Sequence, residues 1–427
     1  MRDFNLRPRK IFYGWWLVGA TVAIAIYIAA VVFYGFTAFF QPMADDFGWS
    51  YTRISLGASL RGLESGLMAP LFGILIDRWG PRRMIFFGAI LLALGMFLLS
   101  RSTTLLSFYV AFAIIALGTS GCSMTALVTT VANWFKRKIG LASGIATCGF
   151  GLSGIMVPVI VKLIDAYGWR SAMSLLALGA LVLILPLSLM FRHKPEQYGY
   201  LPDGDPPGTV QLKLEAEKAE KEKTAVEEPS YSIKQAAKSR AFWHLALAYA
   251  CYHVITAAVV THVMPYLGSI GIERSLSGMV AMGIPLSSVA GRLGMGWIAD
   301  RIERRKVTIA GFIMMGLGLL CFEGVSKMGS WLIIPFLLLF CIGYGGNNTM
   351  RVALVREMFG RKSYGSIFGL LMGVSTAGSF LGPPLAGWAY DTWGSYQNVW
   401  FVIACFALVS LILTLTIPRR MMTRAGA

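Results

Sequence analysis

Long apolar stretches dominate this chain, and each ends in a short cluster of Arg, Lys, Asp, Gly or Pro. A hydrocarbon core ~30 Å thick is crossed by ~20 apolar residues wound as a helix. Twelve stretches reach that length, roughly at 15–40, 53–76, 83–100, 105–133, 139–162, 169–191, 241–268, 276–299, 307–326, 331–356, 363–388 and 397–417. The predicted fold class is therefore all-α, a membrane protein of twelve transmembrane helices. An even number of crossings puts both termini on one side. Residues 192–240 interrupt the pattern as a polar loop between two six-helix halves, 1–191 and 241–427. Inside that loop, QLKLEAEKAEKEKTAVEE at 211–228 alternates in charge sign and reads as a solvated helix or flexible linker.

Composition sharpens this picture. Only 14% of the 427 residues are charged and 56% are hydrophobic, whereas a soluble domain is about one quarter charged. A cytosolic enzyme, a disordered protein and a soluble nucleic-acid binder are excluded. The net charge of +17 looks like a nucleic-acid signal until the charges are placed. Of 38 Lys and Arg, 29 lie before the first helix, in the even-to-odd loops, in the central loop and after the last helix. Six lie in the opposite loops, and three (Arg61, Arg292 and Arg351) lie inside helices. Basic loops stay cytoplasmic, so both termini are expected in the cytoplasm of a multi-pass protein of the inner (plasma) membrane. The basic opening precedes an apolar stretch too long for a signal peptide, with no clear small-residue cleavage site, and reads as a retained first helix. The six cysteines all fall in apolar stretches without a C-x-x-C pair and read as small buried side chains.

The halves repeat. Gly73-Ile-Leu-Ile-Asp77-Arg78-Trp-Gly80-Pro-Arg82-Arg83 follows the second helix, and Gly296-Trp-Ile-Ala-Asp300-Arg301-Ile-Glu-Arg304-Arg305-Lys306 follows the eighth, the aspartates 223 residues apart. Asp165-Ala-Tyr-Gly168 pairs with Asp391-Thr-Trp-Gly394 at 226, and Trp134-Phe135-Lys-Arg137-Lys138 with Met358-Phe359-Gly-Arg361-Lys362 at 224. Three concordant offsets make the chain two related halves, as in transporters built from internal repeats.

A G-x-x-x-D-R-x-G-x-R-R loop occurring twice in a six-plus-six chain resembles the major facilitator superfamily over nearly the whole length. The resemblance implies a gating role for Asp77, Arg78, Arg82, Arg83, Asp300, Arg301 and Arg304, with Arg305 beside them. A carboxylate at a helix end next to arginines can latch the cytoplasmic side through charge-assisted bonds. The alternative is that these arginines only anchor the topology. WFKRKIGLASGIATCGFGLSG at 134–154 is similar to the fifth-helix signature of the monocarboxylate transporter family, and Tyr13-Gly14-Trp15-Trp16 to its first-helix signature. In that family Arg292, on Arg292-Leu-Gly-Met-Gly296-Trp-Ile-Ala-Asp300, occupies the position of the arginine that holds the substrate carboxylate. This chain departs from the animal members, which carry an aspartate where Ser288 stands and a lysine near the end of the first helix. The eleventh helix likewise lacks, after its start, the lysine of the related oxalate/formate antiporters.

Polar residues inside spans are the remaining candidates. A membrane-embedded charge costs a few kcal/mol and must face protein, water or ligand. No acidic residue stands near Arg292 in its own helix, and its two-pronged donors match a carboxylate. Tyr344, Asn347 or Asn348, and Arg351 share one face of the tenth helix by their spacing and are read as cavity lining. Tyr34 and Ser288 complete the substrate-binding set. Glu64 lies well inside the second helix with Arg61 one turn before it, so the two form either an intrahelical ion pair or a protonatable coupling site. His253, near mid-span in the seventh helix, is the second coupling candidate. His262, nine residues further on, is too far along the helix to share a metal ion with it. Glycine-rich runs at 140–154 and 365–382 read as close helix packing. No ATP-type phosphate loop and no nucleophile–base set is present, so no enzyme chemistry, cofactor or metal is expected.

The expected function is secondary transport of a small organic monocarboxylate such as lactate or pyruvate, with a proton, by alternating access. The expected surroundings are the lipid bilayer, with no nucleic acid and no second subunit. An organic-anion or dicarboxylate exchanger, with Arg351 as second cation, is one alternative. A non-transporting membrane sensor signalling through 192–240 is the other.

Overall fold

A computed structural model describes residues 12–67, 72, 75–76, 78–135, 138–192, 195, 231–360, 363–396 and 398–417. The side chains of 61–67, 125, 139 and 140 lie outside it, which removes Arg61 and Glu64, and Asp77 is outside altogether. Twelve helical segments follow in order: α1 (Tyr13–Phe47), α2 (Tyr51–Leu67), α3 (Pro81–Arg101), α4 (Leu105–Trp134, broken at Cys122), α5 (139–167) and α6 (169–189). The second half adds α7 (Arg240–Ser269), α8 (Arg274–Ala299), α9 (Arg304–Met328), α10 (Ile333–Phe359), α11 (Tyr364–Trp393) and α12 (Val399–Leu415). No strand occurs among the described residues. All-helical architecture is the only way to satisfy every backbone group across lipid without closing a barrel.

Local chemistry sets the boundaries. Thr104 caps α4 in a box with Ser107, and Ser239 caps α7 through the amide of Phe242. The turn between α5 and α6 is a single residue, Gly168 at φ 76°, a left-handed conformation that costs glycine nothing. The first helix continues past the predicted end at 40 as far as Phe47, where Gly48 takes the left-handed cap. Midway along it, Ala29–Tyr34 forms a π-helical segment closed by a 2.7 Å bond from the Gly35 amide to the Ala30 carbonyl. Such an insertion in an α-helix often marks a functional site.

The halves pack through α2 against α11 and α5 against α8. There Gly387 lies on Ser55 and Tyr51, Gly151 on Val289, and Gly154 on Met282 and Pro285, each closer than a side chain would allow. The predicted glycine packing holds for Gly151 and Gly154 and for Gly378 and Gly382 on α7, while Gly387 lies beyond the predicted run. Gly144, Gly365, Gly369 and Gly373 face open space instead. The cysteine expectation needs one correction. Cys122 and Cys341 are buried and Cys148, Cys251 and Cys321 half-buried, but Cys405 on α12 is exposed.

Candidate functional site

The π-helical part of α1 and the middles of α7, α8 and α10 converge in a polar layer. Tyr34 meets Tyr344 hydroxyl to hydroxyl at 2.9 Å, one bond that joins the two halves. Tyr252 donates to the Tyr344 carbonyl at 2.9 Å and stacks on its ring at 6.0 Å. Arg292 is half-buried beside them, and its charge reaches both Tyr34 and Tyr252. Its Nε is buried with no hydrogen-bond partner. A guanidinium nitrogen in that state is a donor awaiting an acceptor.

Arg351 approaches the same layer from about two turns of α10 beyond Tyr344. It donates to His253 Nε2 at 2.8 Å and to Asn348 Oδ1 at 2.8 Å, and it lies 5.7 Å from the ring centres of Tyr249 and Phe368. Its charge also reaches Tyr252. A guanidinium has no acceptor, so the His253 lone pair accepts and its proton sits on Nδ1.

The structure separates two residues that the sequence grouped with this set. Asn347 is fully buried against α9, and its amide, correctly oriented, donates to the Thr308 carbonyl and accepts from the Phe312 amide at 3.2 Å each. Of the asparagine pair, Asn348 alone stands with Arg351, because Asn347 fills the space over Gly311. Ser288 is also fully buried, donating to Pro285 in its own helix where α8 presses on Gly345. Neither reaches the polar layer.

The described gating candidates lie at the end that carries the Arg/Lys-rich loops, the basic end, and two of them, Arg301 and Arg304, make contacts within their own half. Arg304 pairs with Glu357 at 3.2 Å, and Arg301 lies over the Trp297 ring at 3.5 Å. Arg305 donates to the last carbonyls of α12, at Thr414 (3.1 Å) and Leu415. Asp300 ends α8 and is exposed, as are Arg78, Arg82 and Arg83.

At the far end the halves are bonded across. Asp391 of α11 accepts from the amides of Tyr51 and Thr52 at 2.9 Å each and from the Thr52 hydroxyl at 2.5 Å, capping α2. Arg274 of α8 donates to Asp165 of α5 at 2.7 Å and to the Ala38 carbonyl at 2.7 Å. Beneath them a cavity of about 310 Å³ is lined by Thr37, Gln41, Tyr51, Arg274, Ser277 and Tyr390 among others. His262, fully buried, meets Ser55 of the other half at 3.1 Å, Pro383 O at 2.9 Å and Tyr396 at 2.7 Å.

Sequence reasoning missed three of these features. His262 as a hub needed knowledge of its neighbours. The signal for Asp165 and Asp391 was present as a repeat, but without their partners. Glu323 was legible as an acidic residue within a span. It is nearly buried in α9, accepting from the Asn398 amide at 3.0 Å beside Lys327 at 3.5 Å. No cluster of three potential metal ligands occurs among the described residues.

The sequence matches the family model of the Major Facilitator Superfamily over residues 22–294 and 263–425. It is similar to monocarboxylate transporter 12 of Xenopus laevis, 24% identical over 96% of this chain and 89% of that protein. It is also similar to monocarboxylate transporter 13 of Rattus norvegicus, 24% identical over 95% and 89%. The fold is similar to that of a bacterial homologue of the human lysosomal transporter Spinster, in an inward-facing, unoccupied conformation (TM-score 0.68, 14% identity, 97% of this chain and 96% of that one). It is also similar to a mutant of the nucleoside transporter NupG (TM-score 0.70, 14% identity, 95% and 100%).

Proposed function

The chain belongs to the Major Facilitator Superfamily, and from that premise we propose that it is a secondary transporter of small organic monocarboxylates of the lactate or pyruvate type, carried together with a proton. The observation that carries this reading is Arg292, with its buried Nε lacking a partner in a layer of tyrosines that bridges the halves. Likeness to monocarboxylate transporters over nearly the whole chain supports the same cargo. The substrate carboxylate takes two parallel bonds from Arg292, with Tyr34 and Tyr344 beside it. Arg351 and Asn348 form the rest of the pocket. The halves then rock about this fixed site to expose it alternately.

In this scheme the basic end is cytoplasmic, in the plasma membrane, and the protein works as a monomer. Asp77, Arg78, Arg82, Arg83, Asp300, Arg301 and Arg304 close that end in the opposite state. Glu64 and His253 are the candidates for carrying the proton. A second reading, an exchanger of organic anions including dicarboxylates, draws on Arg351, a second guanidinium held by uncharged partners.

Uptake of labelled L-lactate into proteoliposomes, with and without an inward proton gradient, tests the proposal. Arg292→Ala and Arg292→Lys should both lose transport, by about a hundredfold for loss of one paired charge contact, while still reaching the membrane. Near-normal uptake by Arg292→Ala would overturn it.

A further inference from the structure

His253 and Arg351 occupy facing positions on α7 and α10, joined by a single 2.8 Å contact. That contact has only one workable protonation pattern. The guanidinium supplies donors alone, so the imidazole Nε2 must offer its lone pair. A proton on Nε2 would consume that lone pair and set two cations donor to donor. Stored Arg351 and protonated His253 exclude each other.

Every other described contact of Arg351 is uncharged. Asn348 Oδ1 accepts from it, and the rings of Tyr249 and Phe368 flank it. Its Nε is buried and unpartnered. A carboxylate makes roughly twice as strong a bond to a guanidinium as a neutral acceptor does, so an anion arriving at Arg292 can draw Arg351 away from the imidazole.

We propose that His253 and Arg351 form a displacement switch that makes anion binding and proton binding one event. The proposal rests on the carboxylate-transport reading. The empty site holds Arg351 on neutral His253. The anion enters, the guanidinium swings onto it, and the vacated Nε2 takes a proton from water on the open side. On the other face the anion leaves, the guanidinium returns to His253, and the proton is expelled to that side. One anion and one proton cross together, so loaded and empty sites carry the same charge. Reciprocity requires each cargo to tighten the other's binding by the same factor.

Among the residues whose side chains are described, the ionisable groups around the pair are Tyr249 and Tyr252 on α7, Tyr344 on α10, Arg292 on α8, Tyr34 on α1 and Tyr364 on α11. None of these is a carboxylate. The rival carrier is Glu64, and the experiment separates the two.

His253→Gln keeps an acceptor for Arg351 but cannot take a proton. Reconstituted with L-lactate, it should keep a measurable, reduced lactate–lactate exchange and lose stimulation by an inward proton gradient, while a folded Glu64→Gln protein is still stimulated. A measurement on the unmodified protein stands beside it. In weakly buffered detergent solution, L-lactate binding should take up about one proton per anion bound, read with a pH-indicator dye. Gradient stimulation surviving in a folded His253→Gln protein, or lactate binding by the unmodified protein without proton uptake, overturns the switch and leaves the carboxylate reading standing. Failure of the unmodified protein to bind or transport L-lactate, pyruvate or oxalate overturns both.

Discussion

The two ends of this bundle are built from related sequence and wired differently. At the basic end, Arg304, Arg305 and Arg301 bond to Glu357, the end of α12 and Trp297, all in their own half. At the far end, Asp165 and Asp391 each reach into the opposite half. The described far-end bonds therefore hold the halves together, while those at the basic end hold the second half in shape. Carboxylates on a helix N-terminus and on an arginine are charge-assisted contacts, stronger than neutral ones and strongly dependent on geometry. Such contacts can be made and broken as a unit when two rigid bodies rock.

The largest effect should come from cutting both far-end contacts together. Asp165→Asn with Asp391→Asn weakens two partly exposed contacts by about 1 kcal/mol each and should raise the far-end-open population by about thirtyfold. A cysteine placed at Thr37 or Ser277, on the far-end cavity, would then label faster with an impermeant maleimide. Unchanged labelling would break the contrast between the ends. His262→Phe comes next. It leaves Tyr396 and Ser55 short of a partner in a dry interior, a loss of about 1–3 kcal/mol visible as a lower Tm in detergent. Arg305→Met should cost about 1 kcal/mol, since it frees the last carbonyls of α12, with transport rate unaffected if its role is structural. The smallest effect belongs to Arg304→Gln. Its ion pair with Glu357 is partly exposed, and such pairs contribute less than about 1 kcal/mol. A larger drop in Tm would mean that the basic end is tied more firmly than its bonds suggest.

Much of this arrangement was legible beforehand because spans are long and the repeats recur at nearly constant offsets of 223–226. Length and apolarity define a transmembrane helix almost alone, and the 6+6 division followed from the polar interval at 192–240. Arg292 was legible because an unpaired charge within a span demands a partner. The choice between Asn347 and Asn348 was not legible. Adjacent residues point about 100° apart on a helix, and which one meets the polar layer depends on how α10 is rotated against α9. Glycine contacts at Gly311 and Gly343 set that rotation. Ser288 misled for the same reason: one turn before Arg292 in sequence, it sits on the face of α8 given to α10. The His253–Arg351 contact spans 98 positions, and no local pattern announces it.

The crossed far-end bonds have a consequence for the symmetry of the chain. Arg274 lies 26 positions before Asp300, and Tyr51 lies 26 before Asp77. Asp165 and Asp391 are likewise repeat mates. Asp165 with Arg274, and Asp391 with Tyr51, are thus the same contact made twice, each half supplying what the other receives. In a symmetric dimer that is an isologous interface, here fused into one polypeptide. The two copies differ, one an ion pair and the other a helix cap under the stacked rings of Tyr51 and Tyr390, 4.3 Å apart.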